Sequence, residues 1–571
     1  MACRNGERVS GRGGRTSGGL MCAAVFVYVV LGLLGPSCAE AKASYDDGIV
    51  IERDDIGFVA REGRHLRDAR GNPFFIVGTN SYYLLEHASE TEPWLKRSVV
   101  TDTLDEAKKM GLNTVRTWAF YDGKLQTAPG EYDEEWLDAL DFVVAAAGER
   151  GLKLVLSLTN FWDAYGGMES YVMWANDANE TAGLSVSEFY TSEATREMYK
   201  QNFRFLKGRT NKYTNLTYAE DPTIMAWELA NEPRNPGDYT GEVLREWIAE
   251  MSHFVKSEAP NQLVTSGSEG FFGPSTMQYM NLNGNGTFDH GRYLAQMCTG
   301  VDFLAQHDNR TAIDLPSFHL YPDHHAEELC GRGAPASDCA LQWARAHTKA
   351  RLKIAAESLG KPVYLGEFGK MKHPTMEGTL DAQVVYRNRL FAQVYDQFQR
   401  SAVDAFDEDT HMFGKHTGVG GGTTFWMLSN KEYKDYDNFT VYAYTNGPSL
   451  PPPWVPEPTA VEAQSDFRNI DEELECVENA LRVHPDWIRH SWFVRGGDAD
   501  LWPDTVPRLE KENENIRTRT YTHGHHPGYV FDFDPEVAHD WTLDASTVEL
   551  ISNHAKNMED LARLNRHDWW G

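Results

Sequence analysis

The stretch "MAWELANEPR", residues 225–234, joins a short apolar run to an Asn, a Glu and a Pro. Met225 and Trp227 suit a buried β-strand, and Pro233, with no amide hydrogen to donate, predicts that the strand stops by residue 232. Glu232 then stands at the strand's tip. A carboxylate there is costly to desolvate unless it is paired or protonated, so its position asks for a chemical reason.

Similar runs recur along the chain: "FFIVGTNSYY" (74–83), "TVRTWAF" (114–120), "KLVLSLTNF" (153–161), "IMAWELANE" (224–232), "LVTSGSEG" (263–270), "LPSFHLY" (315–321), "PVYLGEF" (362–368) and "GTTFWML" (422–428). Between them lie amphipathic stretches such as "DEEWLDALDFVVAAAGERG", "TGEVLREWIAEMSHFVKS" and "LQWARAHTKARLKIAAESLG", with apolar residues recurring at three and four. This alternation predicts an α/β fold, a (β/α)8 TIM barrel, whose chemistry sits at the C-terminal ends of its strands. The polar residues of the runs fall there. Arg116 and Trp118 share one strand face, as do His319 and Tyr321, while Glu232, Glu367 and Trp426 come late in their runs. Any one of these alone is more often ordinary core or loop; seven at equivalent strand ends point to one shared mouth.

Composition limits what that mouth can serve. The chain has 571 residues, 41% of them hydrophobic and 12% aromatic, enough for a large buried core. Its 54 basic and 84 acidic side chains give a net charge of -30, which repels phosphate backbones and anionic lipid. Nucleic acid is therefore not an expected partner, whereas a neutral substrate meets no such repulsion.

Residues 1–39 read as a secretory signal peptide: Arg4, Arg8, Arg12 and Arg15 precede the apolar run "LMCAAVFVYVVLGLLG" and the small residues of "PSCAEAKAS". The run is shorter than the ~20 residues a spanning helix needs, so cleavage is preferred to an uncleaved anchor and no membrane association is expected afterwards. The prediction is a secreted, extracellular protein. Sequons at Asn179, Asn215, Asn285, Asn309 and Asn438 fit that compartment. Beyond the leader stand Cys298, Cys330, Cys339 and Cys476, which admit three pairings; Cys330 with Cys339, across the loop "GRGAPASD", is the preferred one.

Two glutamates on different barrel strands, with an arginine and aromatics around them, match the needs of glycosidic bond cleavage. One group protonates the leaving oxygen while the other stabilises or attacks the sugar. No Gly-rich phosphate loop stands between a strand and a helix, and no Cys/His spacing suggests structural zinc. The clusters "YPDHH" and "THGHH" could bind a metal, but loop histidines are more often solvated, so no metal and no cofactor are expected.

The strings "TIMAWELANEPR", "LGEFGK", "NTVRTWAF", "SFHLYPD", "NFWDAYGGMESYVMWA", "SEGFFG" and "DYDNFTVY" resemble, in colinear order from about residue 50 to 445, the plant-type endo-β-1,4-mannanases of glycoside hydrolase family 5. The resemblance implies cleavage of internal β-1,4-mannosidic bonds in mannan, glucomannan or galactomannan by a retaining double displacement. On it, Glu232 is the acid/base and Glu367 the nucleophile, with carboxyls roughly 5 Å apart. Glu232 is expected to hold its proton in a partly apolar site beside a second carboxylate; Glu367 is expected to do the opposite, kept ionised by Arg116 and the Tyr321 hydroxyl. Asn231 resembles the residue that bonds the sugar 2-hydroxyl, His319 one that orients the acid/base or a sugar hydroxyl, and Trp426 the floor of the reacting subsite. Trp118, Trp162 and Tyr82 are candidates to extend the cleft or to pack the core. Glu228 reads as a buried structural group, and Glu269 as a border of the site.

The chain departs from that pattern after the eighth strand. Residues 44–445 are expected to form the catalytic barrel and 446–540 an insertion of unknown role. The closing helix is expected within 541–571, where Val548, Ile551, Ala555, Met558 and Leu561 or Ala562 recur at helical spacing. Trp487, Trp492, Trp502 and Tyr529 in the insertion read as packing residues rather than sugar platforms. Alternatives for function are β-1,4-glucanase, exo-mannosidase or mannan transglycosylase activity with the same acid pair, and a non-catalytic carbohydrate-binding barrel. The last is disfavoured because both carboxylates are present. Oligomeric state is not legible.

Overall fold

Each of the eight apolar runs forms a strand. In this computed structural model, which describes residues 57–178, 183–283, 299–326, 338–371, 380–402, 406–407, 412–413, 418–430, 432–433, 437–443 and 544–564, they are β1 (Ile76–Asn80), β2 (Thr114–Trp118), β3 (Lys153–Ser157), β4 (Ile224–Glu228), β5 (Leu263–Thr265), β6 (Ser317–Leu320), β7 (Val363–Phe368) and β8 (Gly420–Phe425). All pair in parallel, in the order β6-β7-β8-β1-β2-β3-β4-β5. A parallel bridge from Thr265 to Leu315, with Thr265 Oγ1 donating to Leu315 O at 2.7 Å, joins the two ends and closes the barrel. The strands are buried along almost their whole length, as expected of a parallel sheet covered by helices.

Seven strands end before the predicted C-terminal residue. The correction matters most at β4, which stops at Glu228, so Glu232 belongs to the following loop rather than to the strand's tip. Helices Arg97–Lys109, Glu134–Glu149, Glu193–Gly208, Glu242–Glu258, Asp338–Ile354 and Leu380–Ala402 surround the sheet. The second starts where its sequence says it should: the Asp133 side chain accepts from the amides of Glu135 and Trp136 at 2.8 and 3.3 Å, satisfying two otherwise orphaned donors. Between β5 and β6 the described residues contain the 3-10 stretch Pro274–Leu282 and no long helix.

An N-terminal hairpin, Ala60–Glu62 with His65–Arg67, carries Val59 and Leu66 onto Ile76, Met225, Leu263 and Leu315, residues at or just before the starts of their strands. It plugs the end of the barrel opposite the mouth. The helix Ala545–Leu564 buries Ile551, Ala555 and Met558, with Val548, Leu561 and Ala562 partly covered. Arg387 of the helix Leu380–Ala402 reaches Asp544 at 2.6 Å and Thr547 at 2.6 Å, and His554 stacks on Tyr395 at 3.8 Å between ring centroids. On its other side, Ala555 faces Gly111, just past the helix Arg97–Lys109. The helix therefore sits between the first and last of the preceding barrel helices. Asp544 also accepts the amide of Tyr442 at 3.0 Å, so the chain leaves the barrel and re-enters it at neighbouring points. Residues 1–39 and 446–540 lie outside the described residues. Cys339 is disulfide-bonded, and Cys298, Cys330 and Cys476, with the expected Cys330–Cys339 pairing, lie outside the described residues. Of the sequons, Asn215 and Asn309 are exposed, Asn438 is half-buried, and Asn179 and Asn285 lie outside.

Candidate active site

Arg116 occupies the middle of the mouth, fully buried on β2 and in register with Asn80 of β1. A guanidinium has five N–H donors, and here every one is used. Nε and Nη2 grip the two oxygens of Glu228 at 2.9 and 2.6 Å; Nη1 donates to Asn80 Oδ1 at 2.9 Å and Glu367 Oε1 at 2.5 Å; Nη2 also donates to Asn231 Oδ1 at 2.7 Å. Burial works against the cation, but Glu228 and Glu367 hold it protonated.

Glu367 lies late on β7, in register with His319 of β6. Its other oxygen, Oε2, accepts from the Tyr321 hydroxyl at 2.5 Å. Burial and the neighbouring Glu367 charge push the phenol well above its ordinary range, so it keeps its proton and can only donate.

Glu232 is reached by a different route. It has a left-handed backbone, φ 47°, which costs a residue with a side chain on the order of 1 kcal/mol. The turn is held by its amide, bonded to Gly267 O at 2.9 Å, and by the Asn231 amide, bonded to Thr159 O at 2.8 Å. It aims the carboxyl back across the mouth: Oε1 meets His319 Nδ1 at 2.6 Å and Oε2 accepts from the Trp162 indole at 2.7 Å. Carboxyl oxygens of Glu232 and Glu367 and a ring nitrogen of His319 lie within 4.8 Å of one another. These groups are close enough to share a cation, yet each carboxylate oxygen already has a protein partner and Arg116 already supplies the positive charge.

Burial pushes Glu232 upward, opposed by Arg234 and by the Trp162 hydrogen bond, as expected for a group that holds a proton. The opposite expectation for Glu367 needs correction. Burial pushes it upward too, and the nearby Glu232 adds to this; His319, Arg116 and Tyr321 pull it back without reversing the sign. What separates the two groups is their donors: a cation and a phenol hold Glu367, whereas Glu232 has a neutral indole and an imidazole whose charged form burial disfavours.

The profile described as GH family 5 beta-mannosidase-like matches residues 56–289. Mannan endo-1,4-beta-mannosidase 2 of Oryza sativa subsp. japonica is 37% identical over 393 residues, 68% of this chain and 80% of the rice protein. The chain belongs to glycoside hydrolase family 5. Another family relative, mannan endo-1,4-beta-mannosidase 7 of Arabidopsis thaliana, is 36% identical over 377 residues, 65% of this chain and 78% of that protein. Among solved structures, the endo-1,4-beta-D-mannanase of Thermotoga petrophila RKU-1 with maltose and glycerol superposes with a TM-score of 0.50 at 30% identity, over 65% of this chain and 95% of its own.

In this family 5 chain the aromatic candidates divide. Trp426, half-buried just after β8, donates its indole N–H to Asp437 Oδ2 at 2.7 Å, and Tyr82 stacks on it with ring centroids 5.3 Å apart and planes 7° apart. The Tyr82 hydroxyl is fixed by that of Tyr433 at 2.6 Å. Trp118 is 4% exposed and lies against the Arg116 guanidinium, 4.9 Å from its ring, so it packs the pocket wall rather than extending a cleft. Trp162 touches Glu232 itself. Asn231 is held by Arg116 and donates to Asn160 Oδ1 at 3.0 Å. Glu228 is fully buried against Arg116, matching its structural reading.

Sequence reasoning missed Asn80 and Asn160, which orient Arg116 and Asn231, and it missed Arg234, whose position directly after Asn-Glu-Pro was a usable signal. Arg234 grips Glu269 through Nε at 2.6 Å and Nη2 at 2.8 Å. The "YPDHH" loop is likewise not a solvated histidine cluster. Asp323 pairs with Lys370 and accepts the Met371 amide at 2.9 Å, tying the loops after β6 and β7 together, while His325 is buried beside Trp343 and His347. "THGHH" lies outside the described residues.

Proposed function

We propose that this protein hydrolyses internal β-1,4-mannosidic bonds of mannan-type polysaccharides with retention of configuration. The observation that carries the reading is the separation of the two carboxyls. Oxygens within 4.8 Å fit the ~5 Å pair that attacks and protonates one sugar from opposite sides, and leave no room for the water an inverting pair must hold at ~6.5–9.5 Å. Relatives named as mannan endo-1,4-beta-mannosidases support the substrate.

Glu367, ionised by Arg116 and aimed by Tyr321, attacks the anomeric carbon while protonated Glu232 gives its proton to the departing glycosidic oxygen. The bond to Glu367 forms as the bond to the leaving sugar breaks. Glu232, now charged, takes a proton from water, whose oxygen attacks the same carbon and frees Glu367. Asn231, its amide oriented by Arg116 and Asn160, is placed for the sugar 2-hydroxyl, and Trp426, flanked by Tyr82, offers a face to the pyranose. Export from the cell belongs to the same reading, because a polymer of this kind is met outside it. Among the described residues no helix is long and apolar enough to cross a membrane.

Incubation with linear mannan, galactomannan, glucomannan and cellulose, with products separated by size and the first-formed anomer read by proton NMR, tests the proposal. Short β-anomeric oligomannosides from mannan are expected, and their loss in folded Glu232→Ala and Glu367→Ala variants. First-formed α-anomer, cleavage of cellulose alone, or normal turnover in either variant overturns it.

A further inference from the structure

Beyond the two carboxylates, a second charged pair stands beside the acid/base. Arg234 leaves the Glu232 loop two residues later and is bidentate on Glu269, which is 3% exposed in the loop after β5. Its guanidinium carbon lies 4.8 Å from the ring centre of Trp162 and 5.7 Å from that of Phe271. Trp162 is the indole that donates to Glu232. Glu269 is fixed in turn, because buried Arg351 bonds the next carbonyl, Gly270 O, through Nε at 2.9 Å, and the Glu269 carbonyl accepts the His319 amide at 3.1 Å. Both side chains that hold the Glu232 carboxyl, Trp162 and His319, are therefore stacked on this pair or bonded to it through the backbone.

We propose that Arg234 and Glu269 are positioning residues for Glu232: the pair holds the Trp162 indole against the acid/base carboxyl and, through its two opposed charges, sets the pH at which Glu232 gives up its proton. The inference rests on Glu232 being the acid/base. Charged and titratable neighbours face Glu232 from several elements: Arg116 on β2, Glu228 on β4, Arg234 on its own loop, Glu269 after β5, His319 and Tyr321 at β6, and Glu367 on β7. Among them Arg234 favours the charged form of Glu232, and Glu269 favours the protonated form. Arg116, Glu228, Glu367 and Tyr321 are joined in one hydrogen-bonded chain that includes the nucleophile. The loop pair is thus the part of the surroundings that can be altered without touching the nucleophile.

The two members of the pair predict shifts of opposite sign. Removing the Glu269 charge in Glu269→Gln leaves Arg234 acting with less opposition, so Glu232 loses its proton more easily. The alkaline limb of kcat/KM, which reports the acid in the free enzyme, then moves to lower pH by about half a unit or more. Arg234→Met removes the cation and moves the same limb to higher pH by a similar amount. Arg234→Lys keeps the charge and restores the limb while losing the fork on Glu269. Measuring kcat/KM on mannohexaose from pH 4 to 9 for these variants, with Glu232→Gln alongside, decides the matter. Limbs that stay still, that move together, or that stay still while KM rises overturn the proposal and leave Arg234 as a substrate contact or a strut. Full turnover in Glu232→Gln instead overturns the acid/base reading beneath it.

Discussion

Replacing Tyr321 by Phe removes a single oxygen and leaves the ring where it packs, 5.2 Å from Phe439 and 6.2 Å from His325. The fold is expected to survive. What disappears is the 2.5 Å hydrogen bond to Glu367 Oε2, one of two bonds that hold this carboxylate. A hydrogen bond to a charged group contributes about 1.5–3 kcal/mol, which corresponds to a roughly tenfold to 150-fold fall in kcat/KM. Arg116 remains on the other oxygen, so the loss stops well short of that in Glu367→Ala.

The same substitution carries a signed pH effect. Tyr321 lowers the Glu367 pKa by bonding its charged form, so without the hydroxyl Glu367 keeps its proton to higher pH. The acid limb of kcat/KM moves up by about one unit, since 1.4 kcal/mol equals one unit of pKa. Initial rates on mannohexaose from pH 3.5 to 8 measure both quantities. A rate within twofold of the parent refutes the bond's contribution to catalysis. A large loss with a stationary acid limb refutes the claim that the phenol acts through the charge on Glu367.

Gly267 has φ +72°, and a Cβ there would fall 1.8 Å from Ala230 O and 2.8 Å from Glu228 Cδ. Gly267→Ala is expected to lower unfolding stability by on the order of 3 kcal/mol or more, read as the urea midpoint, because the backbone cannot retreat without releasing the Glu232 amide. His554 is buried, and its pKa is lowered to about 3, below the ordinary 6.5. The unfolded chain therefore binds a proton that the folded one refuses, and this group's stabilisation is lost as pH falls from about 6.5 towards 3. His554→Phe keeps the stack on Tyr395, so relative to the parent it should gain about 2 kcal/mol between pH 7 and pH 5; a constant difference contradicts this. Replacing residues 446–540 by a short Gly/Ser linker should leave the barrel folded and active on mannohexaose, because Tyr442 and Asp544 are already hydrogen-bonded to each other. Loss of the folded barrel would show that the segment belongs to its core.

The strands were legible because a parallel barrel buries both faces, and eight short apolar runs separated by helical periodicity have few other arrangements. Their ends were not. "SYY" after β1, "AF" after β2 and "LANE" after β4 look like continuing strand because apolar or aromatic residues run on into them, yet they are buried or half-buried outside the ladder. Glu232 shows the consequence: read as a strand residue it would share the face of Glu228, whereas the loop turns it through a left-handed conformation onto His319. Arg116, Tyr321 and Glu367 were found because each stands on or next to a strand, where position in the run sets direction. The Trp162 contact and the Arg234–Glu269 pair are made by the loops after β3, β4 and β5 together, a conjunction no local pattern contains.

The buried Glu228 touches no proposed substrate group, and its partner Arg116 could have been given wholly to Glu367. On the proposed mechanism the sharing is useful. Glu228 takes the fork of the guanidinium through Nε and Nη2, so Glu367 receives one N–H from Nη1 rather than a bidentate clamp. A carboxylate clamped on both oxygens is ionised but poorly nucleophilic, because the charge it must donate to the anomeric carbon is already bound. With Glu228 present, the floor of the pocket holds two carboxylates against one cation, so the ionised nucleophile faces the sugar with negative charge to spare. That same excess makes a further negative charge on Glu232 expensive in a buried site, and the proton stays on the acid/base until the leaving oxygen accepts it. One buried glutamate thereby acts on both proposed catalytic carboxylates from behind, raising the affinity of one for its proton while sparing the reactivity of the other.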